Sequence, residues 1–105
     1  MRPSITSFIV SLCFGGAVLA AEPRHSYKPA EGFVPNAETA VRIAIAVWEP
    51  IYGRDNIEGQ KPIRAELKDG IWYVSGTLPA GLRGGVAEAE IAKLDGRILR
   101  VSHGK

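Results

Sequence analysis

Two periodicities divide the chain. Between Ala37 and Glu49 (AETAVRIAIAVWE) apolar residues recur at helical spacing. Val41, Ala44, Ile45 and Trp48 form the stripe, and Ile43 and Val47 widen it, so the predicted helix is buried on more than one side. Asn36 is a good N-cap. Glu38 suits the first turn of the helix dipole and stands four residues before Arg42, the favourable order for a weak pair. Pro50 cannot donate the bond that would continue the helix, and Tyr52-Gly53 offers a glycine exit. Residues 53–61 (GRDNIEGQK) read as a polar loop.

From Ile63 the repeat shortens to two. Ile63, Ala65 and Leu67 alternate with Arg64, Glu66 and Lys68, the pattern of a half-buried strand. Asp69-Gly70 is a hairpin turn signal, and Ile71 to Leu78 follows, rich in strand formers. A two-residue loop pairs Leu67 with Trp72 and Ala65 with Val74; a three-residue loop pairs Leu67 with Ile71 and Ala65 with Tyr73. Both registers are open. The second hairpin joins Val86–Lys93 to Arg97–His103 through Leu94-Asp95-Gly96. Here a three-residue, bulged loop with Gly96 left-handed pairs Ile91 with Leu99, Ala89 with Val101 and Glu90 with Arg100. Apolar then meets apolar and acid meets base. The expected fold is α+β: one N-terminal helix packed on a four-stranded antiparallel sheet, in the order α-β-β-β-β. The expected core is Trp48, Ile45, Val41, Leu67, Ile91, Leu99 and Val101, joined by Trp72 or Tyr73 according to register.

The first 20 residues fit neither pattern. Arg2 gives a positive start, and Ile5 to Ala20 is an uncharged, largely apolar run ending in Val18-Leu19-Ala20. That is the layout of a cleavable signal peptide, shorter than the roughly 20 apolar residues a membrane span needs. Cleavage near Ala20/Ala21 places the chain in the periplasm or outside the cell. Leu12 sits where a lipoprotein signal would have a small residue before Cys13. Residues 21–35 read as an extended leader whose end, Phe33-Val34, reaches the domain at 36–105. Cys13, the one cysteine of the 105 residues, leaves with the signal. The mature chain then has no disulfide and depends on its core or a partner for stability. Of 13 basic residues, 12 remain against 11 acidic ones, which excludes the strongly basic face of a nucleic-acid binder.

Candidate chemistry is sparse. Gly76 to Gly85 (GTLPAGLRGG) has Gly76 and Gly81 at phosphate-loop spacing, but Leu82-Arg83 stands where lysine and a hydroxyl are required. The loop also runs from strand to strand, with no helix N-terminus to receive an anion. It is read as a connector whose glycines reach backbone angles closed to other residues. Ser26, Ser75 and Ser102 lie in no nucleophile motif, and His25 and His103 give no metal-ligand spacing. No catalytic, cofactor-binding or metal site is expected. Glu88 and Glu90 project from one strand face about 7 Å apart. With Arg100 opposite Glu90 they read as a solvated, cross-paired face, or as a charged docking face.

The combined segments Ala37-Glu38-Thr39-Ala40, Trp48 to Gly53 (WEPIYG), Trp72 to Pro79 (WYVSGTLP), Gly84-Gly85-Val86, Ala89-Glu90-Ile91, Asp95-Gly96 and Val101 to Lys105 (VSHGK) resemble the nuclear transport factor 2 (NTF2) fold immunity proteins, small exported bacterial proteins. The likeness covers roughly residues 34–105. It implies a cystatin/NTF2-like α+β fold and a non-enzymatic protein that protects its producer by binding a partner toxin. The full fold of that name usually carries several helices and a longer curved sheet, whereas one helix and four strands are read here. The expected partner-binding residues are Arg83, Gly84 and Gly85 in the loop, and Glu88 and Glu90 on the strand. Two alternatives stand beside this: a small-ligand module with Trp48, Trp72 and Tyr52 lining a pocket between helix and sheet, and an enzyme using Glu88 or Glu90.

Overall fold

A computed structural model describes residues 23–104. The signal-peptide expectation falls on residues outside that range. Helix α1 spans Ala37–Tyr52 and a short helix α2 spans Arg54–Glu58. Strands β1 (Arg64–Lys68), β2 (Ile71–Ser75), β3 (Ala87–Ala92) and β4 (Ile98–His103) form one antiparallel sheet in the order β1-β2-β3-β4. The α+β architecture expected from the pattern is present, with α1 across one face of the sheet.

Asn36 caps α1 as its side chain predicts, accepting from the Thr39 backbone N–H at 2.9 Å. Glu38 and Arg42 pair at 2.8 Å on the exposed face. The helix does not stop at Pro50. It runs two residues further and closes where the Gly53 N–H donates to the Glu49 carbonyl at 2.8 Å. Pro50 is tolerated because it stands in the last turn on the solvent side, and Ala46, whose carbonyl loses its helical donor there, is exposed to water. The next residues are not a plain loop either. Ile57, the one strongly apolar residue in that polar run, is fully buried and pins α2 against the domain.

The buried line of α1 is Ala40, Ala44 and Trp48, each at 0% exposure. Two alanines on the contact line let the helix backbone approach the sheet closely. Val41, Ile43 and Ile45 pack at its flanks. Beneath lie Trp72, Val74, Ala87, Ala89 and Ile91, with Ala65 and Val101 at the margins. Both tryptophans place their indole N–H groups on carbonyls: Trp48 on Glu88 at 3.2 Å and Trp72 on Val34 at 2.8 Å. The leader ends as an added strap. Phe33 and Val34 donate from their backbone N–H groups to the Leu94 and Lys93 carbonyls, and Val34 is buried. Gly32, at φ +87°, lies so close to the Lys93 and Leu94 backbone that a side chain has no room.

The first hairpin takes the two-residue register, Leu67 opposite Trp72 and Ala65 opposite Val74. Asp69 (φ 51°) and Gly70 (φ 76°) are both left-handed, as a type I′ turn demands. Trp72 therefore joins the core and Tyr73 faces out. The second hairpin keeps Ala89 opposite Val101 and Glu90 opposite Arg100, with Gly96 left-handed at φ 78°. The bulge sits between Glu90 and Ile91, however, so Ile91 pairs with Ile98 and Leu99 becomes the extra residue. That corrects the expected pairing and the core. Leu99 (39% exposed) is turned out by the bulge, and Leu67 (46%) lies on an edge strand one rung from its turn.

These placements separate residues that the alternation made equivalent. Ile91→Ala is expected to cost about 2–5 kcal/mol of unfolding free energy, and Leu99→Ala less than about 1 kcal/mol. Urea denaturation of the two variants measures the contrast.

Candidate functional site

Four elements meet where the sheet ends and the glycine-rich loop begins. Gln60, just after α2, is 4% exposed and directs its side chain into the end of the β2–β3 ladder. Its Oε1 accepts the Ala87 backbone N–H at 2.8 Å. Its Nε2 reaches Asn56 Oδ1 at 3.2 Å and His103 Nε2 at 3.0 Å. Its own carbonyl accepts the Thr77 N–H at 2.7 Å. The amide thus works as one extra rung, binding α2, β3, β4 and the loop together. Every polar atom of the buried amide has a partner.

The neighbours are shaped around this side chain. A Cβ on Gly76 would lie 2.8 Å from Gln60 Cβ, so the first glycine of GTLPAGLRGG makes room for the amide. A Cβ on Gly85 would meet the Gly104 backbone, with its carbonyl oxygen at 2.7 Å, so the last glycine lets loop and C-terminal strand cross in contact. Gly84 has φ 118°, a region favouring glycine. The sequence reading of the loop as a connector with unusual backbone angles holds, and steric clearance is added to it.

His103 is half-buried. Its ring stacks at a tilt on Tyr52, centroids 4.9 Å apart. Its Nδ1 lies 2.9 Å from the Gly104 carbonyl, which can only accept, so Nδ1 carries the proton and Nε2 accepts from Gln60. Both ring nitrogens are committed to the scaffold.

This junction floors a groove of about 440 Å³. Leu78, Pro79, Leu82 and Arg83 form one wall, and Asp55 and Asn56 of α2 the other. The loop is held at its ends by Thr77, whose hydroxyl donates to the Pro62 carbonyl at 2.6 Å, and by the Gly76 N–H on Ala87. Between those ties Leu82 is 60% exposed. Arg83, Gly84 and Gly85 all line this groove; only Arg83 offers it a side chain.

Glu88 and Glu90 lie elsewhere, on the sheet face turned away from α1. A shallower hollow of about 260 Å³ there is bordered by Arg64, Glu66, Tyr73, Glu88, Glu90 and Arg100. The Arg100 Nε donates to Glu90 at 2.8 Å, Nη2 to Glu88 at 2.9 Å and Nη1 to the Ser102 hydroxyl at 2.9 Å. Hydrogen bonds to Glu90 and then Glu88 raise the guanidinium pKa above its ordinary value, so it stays charged. The cross-paired face expected from the register is therefore built. Of the residues the small-ligand alternative would use, Trp48 and Trp72 are buried with their indole N–H groups on backbone carbonyls, and Tyr52 stacks on His103.

Residues 39–105 match the family model described as NTF2 fold immunity protein. The chain belongs to this family. An Escherichia coli (strain K12) relative, the uncharacterized protein YhhH, is 38% identical over 73 residues, 69% of this chain and 58% of YhhH. The chain thus spans less than two thirds of that relative's length. No solved structure matches. The matched family segment contains the whole Gln60 junction and both surfaces, while Val34, which accepts the Trp72 indole, precedes it. Among the described residues, no helix is long and apolar enough to cross a membrane, and no cluster of side chains has the makings of a metal site.

Gln60 was not singled out by sequence reasoning. It sits in a polar run with no periodicity, and its role depends on a glycine sixteen positions away. Gln60→Ala is expected to cost about 1–3 kcal/mol, because it leaves the fully buried Ala87 N–H without an acceptor. Hydrogen exchange at Ala87 checks the cause: it should accelerate more than exchange in the β1–β2 hairpin.

Proposed function

We propose that this chain is an immunity protein that neutralises a partner protein toxin by occlusion, and that it works outside the cytoplasm after its first 20 residues are removed. The observation that carries the reading is the family match over residues 39–105. The disposition of reactive side chains supports binding over catalysis. Both His103 nitrogens serve the scaffold, and the two carboxylates considered for acid/base work hold Arg100. The apolar, charged-residue-poor run before Ala20 supports export.

The test is protection. Pull-down with the full chain from the producing bacterium should recover a partner protein that arrests growth when directed to the periplasm of a bacterial host, and co-expressing the full chain should restore growth. A chain lacking residues 1–20 should fail to protect. Equal protection by that truncated chain would overturn the site of action; neither protection nor a complex would overturn the immunity reading.

A further inference from the structure

Among the described residues, the open sheet face and the loop groove carry the two larger hollows. On the sheet face the central charges already satisfy one another, Arg100 holding both Glu88 and Glu90. The groove differs in each respect. Leu78 and Leu82 expose apolar surface on a loop fixed at both ends to a buried rung. Arg83 beside them is exposed and has no ion-pair partner among the described residues. An aliphatic wall with a free guanidinium at its rim complements an apolar side chain accompanied by a carboxylate. Asp55 on the opposite wall sets the polarity, since a carboxylate turned that way would be repelled.

We infer that the groove between α2 and the 76–85 loop docks an extended segment of the partner protein, one that seats an apolar side chain against Leu78 and Leu82 and an adjacent Asp or Glu on Arg83. This rests on the immunity reading for the partner's identity, but the chemistry comes from the groove. The scaffold supports it physically. Gln60, Gly76 and Gly85 hold the groove's floor in place before binding, so little ordering is required when a segment enters. Gly84, at φ 118°, shapes the loop and is a poor site for a side-chain test.

A random peptide library displayed on phage, selected against the immobilised full chain, tests this without any toxin. Enriched peptides should place an aliphatic or aromatic residue next to Asp or Glu. Arg83→Glu should reverse the charge preference to Lys or Arg, and Leu82→Ser should lower recovery of the wild-type peptides about tenfold. Both residues are exposed, so neither change should unfold the domain. Glu66→Lys on the open face should leave the selection unchanged. No enrichment, or a selection that follows Glu66→Lys and ignores Arg83→Glu, would overturn the inference. Protection from the toxin without groove-dependent peptides would leave the immunity reading standing and sink the groove. Groove-dependent peptides without protection would do the opposite.

Discussion

The end of the molecule that carries the loop groove depends on the Gln60 side chain. A sheet with order β1-β2-β3-β4 leaves backbone groups open where β2 departs into a long loop and β3 begins. The Ala87 N–H is one of them, in a fully buried position, and Gln60 Oε1 satisfies it at 2.8 Å. Because the same amide donates to Asn56 and His103, this one residue fixes the distance between α2, β3 and β4. A small domain without cysteine in residues 21–105 has few other means of holding a loop junction rigid.

On the sheet face covered by α1 the constraint is packing. Ala40 and Ala44 bring α1 close over the sheet, and Trp48 and Trp72 fill the volume on either side. Their indole nitrogens reach out to the Glu88 and Val34 carbonyls, so the large rings lock the helix and the leader's end to the sheet without stranding a donor. Among the described residues, the space between helix and sheet is occupied by these buried side chains. The surfaces left open are the loop groove and the uncovered sheet face.

Much of this was legible in the sequence. The 3.6 repeat located α1, the Asp-Gly turns located both hairpins, and charge pairing identified the Glu90–Arg100 rung. The misses have separate physical causes. Leu67 and Leu99 obey the alternation, but burial also requires a neighbour above, and an edge rung and a bulge removed it. Pro50 signalled a stop that a solvent-facing last turn did not need. Ile57 and Gln60 carry no periodic signal at all, since each is buried by elements distant in sequence. The candidate site was half legible: glycine density marked the loop, and Arg83 its one free charge. That Glu88 and Glu90 face a different surface from Arg83 followed only once the strand after Gly85 had been placed.

Hydrogen exchange of the chain, free and bound to the partner protein recovered with it, separates a groove contact from a sheet-face contact. New protection is expected at residues 78–85 and 55–60, with β1 and residues 98–102 exchanging as before. Protection confined to residues 64–75 and 98–102, with the loop unaffected, would contradict it.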